Sequence, residues 1–216
     1  MYVFSLTGMS FSRFAYRFMA IGLMALALFL MIQTQTVHAA NCTYASVGTN
    51  DWNTAGNWSC AAVPSIGDSA IIGAATTVVS GVAIDVNTLS VGSVSALVIT
   101  TNNLVVRTSS TFAGGNVTST SGTMTFSSTD GSASTTFVGG GMVSSTSATL
   151  TFRGQVAIYN STSTISCSSC DMLFTGYVTS TGILNLGSGV ATSTGGLRTD
   201  GGGTVNGQSG TLSIGA

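Results

Sequence analysis

The 216-residue chain contains no lysine and no glutamate, and its one histidine, His38, lies near the N-terminus. Pro64 is the only proline, and charged residues make up just 5% of the sequence, which leaves little for electrostatic recognition. From residue 40 onward the charges are Arg107, Arg153 and Arg198 against Asp51, Asp68, Asp85, Asp130, Asp171 and Asp200, a net of −3. Nucleic-acid binding needs clustered Lys and Arg against phosphate, and anionic lipid is recognised by a polybasic patch. Neither pattern exists here, so no nucleic-acid partner is expected, and no membrane partner once the N-terminal segment is removed. The same scarcity argues against an enzyme. Glycoside hydrolysis uses two carboxylates about 5–10 Å apart, and lyases need a base and a cation to neutralise an acidic substrate. No Lys or His can serve as that base, the arginines are dispersed, and isolated Asp residues at corners cap turns. No catalytic residue, metal ligand set or cofactor is assigned. A phosphate loop would need Gly-Lys-Ser/Thr, and the single acid in Thr199-Asp200-Gly201-Gly202-Gly203 does not make a calcium repeat.

What is present begins with a targeting signature. Arg13 and Arg17 form a positive region, Phe18 to Ile32 is an apolar run of 15 residues, and Val37-His38-Ala39 fits a small-x-small cleavage site. A membrane-spanning helix needs about 20 apolar residues, so a cleaved signal peptide over 1–39 is the better reading than a retained anchor. The chain is then expected to be secreted, extracellular or at the cell surface.

Downstream of residue 77 an apolar anchor returns every six to eight residues in most places. In triplets the anchors are Val78, Ile84, Leu89; Val98, Val105, Phe112; Val117, Met124, Ala133; Phe137, Val143, Leu150; Ile158, Ile165, Met172; Val178, Leu184, Val190; and Leu197, Val205, Leu212. Corresponding members recur at about 17 to 23 residues, the signature of a stacked repeat. One short strand per anchor and three per coil predict an all-β, right-handed, three-faced parallel β-helix. Proline-free Thr/Ser/Val sequence suits continuous sheet, and regularly spaced β-branched and aromatic residues argue against disorder. Side chains two apart share one side of a strand. Met124 with Phe126, Leu150 with Phe152 and Met172 with Phe174 should therefore point inward, while Thr125 and Thr151 point out. Corners are expected at Ala113-Gly114-Gly115, Gly139-Gly140-Gly141 and Gly201-Gly202-Gly203, where glycine permits positive φ. An antiparallel sandwich is the competing fold, but its hairpins favour Asn-Gly and Asp-Gly pairs, found only at Asp130-Gly131, Asp200-Gly201 and Asn206-Gly207.

The segment 40–74 differs from the repeat in 75–216. It holds both tryptophans, Cys42, Cys60 and Pro64, and it precedes a coil whose unpaired backbone needs cover. It reads as an N-terminal cap built on Trp52, Trp58, Pro64, Gly67 and Asp68. Asp51-Trp52, Gly56-Asn57-Trp58 and Pro64-Ser65-Ile66-Gly67-Asp68-Ser69-Ala70-Ile71-Ile72 resemble a recurrent opening of secreted bacterial parallel β-helix surface proteins, including adhesins and autotransporter passenger regions. The match covers about 25 residues, and the rest is similar only in its Thr/Ser/Gly/Val style. Within these 216 residues no translocating barrel or cell-wall sorting signal follows, which leaves the route to the surface open. The resemblance implies a structural or adhesive role.

Four cysteines in a secreted chain suggest two disulfides. Cys42 and Cys60 would close the cap, and Cys167 and Cys170 a small corner loop. A redox Cys-x-x-Cys needs a helix N-terminus, and a four-cysteine zinc site needs all thiolates at one point. The anchor count places Cys167 about 20 Å from the cap. The Thr-x-Thr segments at 123–125 and 149–151 are expected on different faces, so they do not stack into a regular plane. The Asn-x-Ser/Thr sequons at Asn41, Asn57, Asn116 and Asn160 carry little weight in a chain this rich in Ser and Thr.

The expectation is a secreted structural or adhesive module presenting a Ser/Thr-rich face. The alternative is a β-helix that binds or cleaves carbohydrate, favoured if exposed aromatics or carboxylates gather on one face. Surface glycans are the expected partners, together with self-association through the C-terminal coil, where Thr211-Leu212-Ser213-Ile214 reads as a rung with nothing covering it.

Overall fold

The computed structural model describes Met24 and residues 39–45, 51–73, 76–126, 134–147 and 149–215. The chain divides into two units, Met1–Val37 and His38–Ala216. Of the first only Met24 is described, as helical, so the signal-peptide reading falls outside the described residues except at Met24 and Ala39. Among the described residues no helix is long and apolar enough to cross a membrane.

The second unit is an all-β parallel solenoid of about six turns. Its strands stack in three ladders, and every strand pairs in parallel. The first ladder is a seven-stranded sheet: β3 (Thr77–Ser80), β5 (Ala96–Ile99), β7 (Asn116–Ser119), β10 (Met142–Ser145), β13 (Thr164–Cys167), β16 (Ile183–Gly187) and β19 (Thr204–Gly207). The other two ladders belong to a 13-stranded sheet and share the long strands β4 (Ile84–Val91) and β6 (Leu104–Ala113). The second continues through β8 (Thr123–Phe126), β11 (Thr149–Phe152), β14 (Met172–Phe174), β17 (Val190–Ser193) and β20 (Thr211–Ile214). The third starts with β1 (Asn41–Thr43) and β2 (Ser69–Ile72), then continues from β6 through β9 (Ser134–Val138), β12 (Gln155–Ile158), β15 (Val178–Ser180) and β18 (Leu197–Thr199). Wholly parallel pairing removes the antiparallel sandwich from consideration.

Alternation within each strand sends every second side chain inward, and in-register pairing stacks the inward residues in columns. Phe126, Phe152 and Phe174 are direct partners along the second ladder. Their rings stack with centroids 4.9 and 5.2 Å apart and planes within 13° and 7°. Beside them Met124, Leu150 and Met172 form a second buried column. The third ladder adds Phe112 over Phe137, centroids 5.0 Å apart. Each such aromatic pair contributes about 0.5–1.5 kcal/mol beyond the area it buries. The paired inward positions expected from spacing are therefore correct, and Thr125 and Thr151 lie outward and half-buried.

The register read from spacing alone needs correction at three places. Val98 and Val105 are outward; the buried anchors are Leu97 with Ile99 and Leu104 with Val106. Ala133 lies outside the described residues, and Phe137 stacks on Phe112 in the third ladder, not on Val117 in the first. From Phe137 onward every triplet is thus displaced by one ladder, because β9, the next described strand after β8, belongs to the third ladder and not the first. Val190 is exposed, and Ala191 takes the inward place.

Corners between the third and first ladders fall at the expected glycines. Gly114, Gly139, Gly140, Gly201 and Gly202 all have positive φ. Gly141 is restricted by space: an added Cβ there would collide with the Phe112 carbonyl of the preceding turn. An earlier passage of the same corner carries Val94 at φ 55°, with 76% of its surface exposed. A β-branched residue is poorly suited to that conformation.

Two substitutions separate column from corner. Phe152→Ala removes the middle ring of the stacked column and should lower unfolding stability by about 3–5 kcal/mol. Val94→Gly should raise it by about 1 kcal/mol by relieving the left-handed strain. Thermal and denaturant unfolding of both variants read this directly; a neutral Phe152→Ala would contradict the column.

Candidate functional site

Three parts of the molecule carry polar chemistry: the N-terminal segment, the inner corners and the outward rows of the ladders. In the N-terminal segment the backbone of 57–59 pairs with the outer edge of β1. Ser59 N–H donates to the Thr43 carbonyl at 2.9 Å, Thr43 N–H to the Ser59 hydroxyl at 2.9 Å, and Ala45 N–H to the Asn57 carbonyl at 2.7 Å. Asp51 forms a bridge to Val79 at the start of the first ladder, where Trp52 N–H donates to the Val79 carbonyl at 3.0 Å. The Trp52 and Trp58 rings meet edge-on with centroids 4.6 Å apart, and Trp58 Nε1 donates to the Trp52 carbonyl at 2.8 Å. Tyr44 packs edge-on against Trp58 at 5.1 Å. Its burial pushes the phenol pKa up, opposed by a hydrogen bond from Asn57 and reinforced by the Asp51 charge. Trp52, Trp58, Pro64 and Asn57 are buried, and a buried Asn57 is unsuited to glycosylation. Cys42 and Cys60 form a disulfide, Cα atoms 5.1 Å apart.

Asp68, which follows the half-buried Gly67, ties this segment to the solenoid. Its carboxylate accepts from Ala40 N–H at 3.0 Å and from the N–H and hydroxyl of Ser65 at 2.8 and 3.0 Å. Its carbonyl accepts from Asn87 and Thr88 N–H at the next rung. Desolvation pushes the carboxyl pKa up, but those three hydrogen bonds together outweigh it and hold the value below normal.

Inner corners use small hydroxyls. Ser80, Ser119, Ser145 and Cys167 occupy one inward position of the first ladder, with Ile99 between the first two. Ser80 donates to the Val82 carbonyl at 2.8 Å and Ser119 to the Ser121 carbonyl at 3.0 Å, so each hydroxyl closes the turn that follows its strand. Cys167 stands in the same place and closes its turn covalently through Cys170. Both cysteines are buried.

The described carboxylates are engaged structurally. Asp85 forms a two-point ion pair with Arg107 at 2.7 Å, Asp200 accepts from Arg198 at 2.8 Å, and Asp171 accepts from Val190 N–H at 2.9 Å. Asp51 accepts from Asn53 N–H and the Thr54 hydroxyl, both at 3.0 Å. Asp130 lies outside the described residues. Among the described residues no three His, Cys, Asp or Glu side chains gather as a metal site.

Outward rows are mostly hydroxyl and amide. The first ladder presents Thr118, Ser144, Ser166, Asn185 and Asn206 in register, with Asn206 donating to Asn185 at 2.9 Å. A groove of about 310 Å³ follows this row past Ser166, Ser168, Asn185, Asn206 and Gln208. The second ladder corrects the expectation for the Thr-x-Thr segments. Thr123 pairs with Thr149 and Thr125 with Thr151, so they do stack; the row is then interrupted by Leu173. The third ladder presents Thr111, Thr136, Ala157, Thr179 and Arg198. On its outward side lie Tyr159 and Tyr177, 51% and 43% exposed, whereas the other aromatics that the structure describes are buried. Sequence reasoning singled out neither tyrosine. The available signal was parity: Tyr159 follows Val156-Ala157-Ile158 and Tyr177 precedes Val178-Thr179-Ser180, each out of phase with the inward residues.

Two variants test the N-terminal segment. Replacing Cys42 and Cys60 together by Ser should cost about 3 kcal/mol, the entropy of a closed loop near this size. Asp68→Asn should lower the midpoint at neutral pH. Because its folded pKa is depressed, Asp68 stabilises above its unfolded pKa of about 4, and this is lost as pH falls through the folded value. The gap between wild type and variant should therefore narrow in acid; a pH-independent gap would contradict this account.

No protein-family model matches the chain, and neither a curated protein nor a solved structure is significantly similar to it.

Proposed function

We propose that the chain is a secreted structural or adhesive surface module, a right-handed, three-faced parallel β-helix released from a signal peptide at residue 39. In this reading segment 40–74 caps the repeats of 75–216, in the manner of the bacterial adhesins and autotransporter passengers it resembles. The observation that carries the reading is the outward surface. Rows of Ser, Thr and Asn stand in register on a stack of ladders, with few charges and with the described carboxylates already engaged. Such a surface offers many weak donors and acceptors in a fixed geometry. Two disulfides support an oxidising, extracellular setting.

A carbohydrate-binding role is the second reading, favoured by the exposed Tyr159 and Tyr177. Binding is better supported than cleavage, since the described carboxylates hold turns, strands and arginines in place. Self-association is a separate proposal. It is supported by the exposed apolar side chains of Leu212 and Ile214 on β20, which a second chain could cover.

Expression with residues 1–39 in a secreting host should yield a chain beginning at Ala40 by intact mass. Beads carrying that chain should be retained on polysaccharide-coated glass under flow. Retention should hardly change between about 0.05 and 0.5 M salt, because so few charges are there to be screened. Steep loss with salt, or no retention at any salt, would contradict the adhesive reading.

A further inference from the structure

The exposed aromatics and the Arg198–Asp200 pair occupy one surface. In β12 the outward positions are Gln155 and Ala157, followed in phase by Tyr159. In the next rung Tyr177, Thr179 and Thr181 hold the corresponding places around β15, since Ala157 pairs with Thr179. In the rung after that Arg198 pairs with Thr179, between Gly196 and Asp200. Tyr159 and Tyr177 are therefore one rung and four residues apart, about 14 Å at the usual strand spacings. The small side chains of Ala157 and Thr179 form a floor between them.

The tyrosine nearer the C-terminus is set in place by its neighbours. A Cβ added to Gly196 would lie 3.3 Å from Cδ2 and Cε2 of Tyr177, so the ring lies along the backbone of the following rung. The Arg198 guanidinium interacts electrostatically with the Tyr177 side chain, and Arg198 Nε donates to Asp200 Oδ1 at 2.8 Å. At the other end, Tyr159 N–H donates to the Phe137 carbonyl at 2.8 Å, and its own carbonyl accepts from the Ser163 hydroxyl at 3.2 Å. Both rings thus stand on backbone fixed by the ladder.

We propose that this surface binds a neutral oligosaccharide laid along the strand direction from Tyr177 to Tyr159. The apolar C–H faces of pyranose rings suit exposed aromatic rings, and hydroxyls suit a guanidinium paired with a carboxylate. A phosphate polymer is disfavoured because Asp200 neutralises Arg198. An extended peptide would seek a ladder edge and its free backbone groups, and this surface is a face. A lipid surface would need a wider aliphatic patch than two phenols. The inference rests on the adhesive reading and locates the contact within it.

Titration of the chain from Ala40 with cellohexaose, chitohexaose, xylohexaose and maltohexaose, followed by calorimetry and tyrosine fluorescence, tests this. At least one probe should bind with a Kd below about 1 mM. Tyr177→Ala and Tyr159→Ala should each weaken it by about tenfold, and the double variant should abolish it. Tyr159→Phe with Tyr177→Phe, which keeps both rings, should stay within about threefold. Far-UV spectra and unfolding midpoints confirm that each variant is folded. Failure of all four neutral probes, binding only of a hexagalacturonate control, or unchanged affinity in the double alanine variant overturns the proposal. Retention of beads carrying the double alanine variant, alongside loss or absence of oligosaccharide binding, would leave the adhesive reading standing and remove this surface from it.

Discussion

In-register parallel stacking is the constraint on which the rest of this structure depends. Each rung satisfies its backbone N–H and C=O groups against the rungs before and after it, so position along the strand is copied from turn to turn. Whatever occupies one inward position therefore sits directly on its counterpart, about 4.8 Å away. That copying turns Phe126, Phe152 and Phe174 into one stacked column, and it places Ser80, Ser119 and Ser145 at one inward position of the first ladder, where the Ser80 and Ser119 hydroxyls close turns. It also explains how the described strands bury a continuous core between their ladders.

The same copying accounts for the composition. Like charges repeated at one rung spacing repel by about 1–3 kcal/mol at the surface, so a stacked ladder tolerates charge only in complementary places. Asp85 meets Arg107 across neighbouring rungs, and Arg198 meets Asp200 within one. Hydroxyls and amides carry no such penalty, because each is both donor and acceptor and can bond to its copy, as Asn206 does to Asn185. Corners are under a different pressure. There the backbone of one turn lies so close to the next that glycine is required at Gly141, while the strained Val94 shows an early corner that is not optimised.

Spacing revealed the strands, their parallel stacking, the inward Phe and Met pairs, the glycine corners and the cysteine pairs, because each follows from a local pattern. Phase was less legible. Phe137 stands in the column of Phe112, and counting anchors alone does not distinguish a longer interval within one coil from an added rung. Adjacent apolar residues such as Leu97-Val98-Ile99 hid which parity faces inward, and so Val98 was misplaced. The threonine rows followed from the same slip: Thr123 and Thr149 belong to one ladder once Phe137 is placed over Phe112. Tyr159 and Tyr177 were invisible for a related reason, since an exposed aromatic is recognised only when the inward phase is known on both sides.

The proposed function rests on what the ladders leave outside, a low-charge surface of hydroxyls and amides with two exposed tyrosines among the described residues. That reading stands only if the rungs stack as described. Nuclear Overhauser spectroscopy on the isotopically labelled chain from Ala40 tests this directly through contacts between neighbouring rungs. The account predicts backbone contacts linking Thr125 to Thr151 and Phe152 to Phe174, all between parallel neighbours in register. Antiparallel contacts between successive strands, or the absence of contacts across these pairs, would contradict it.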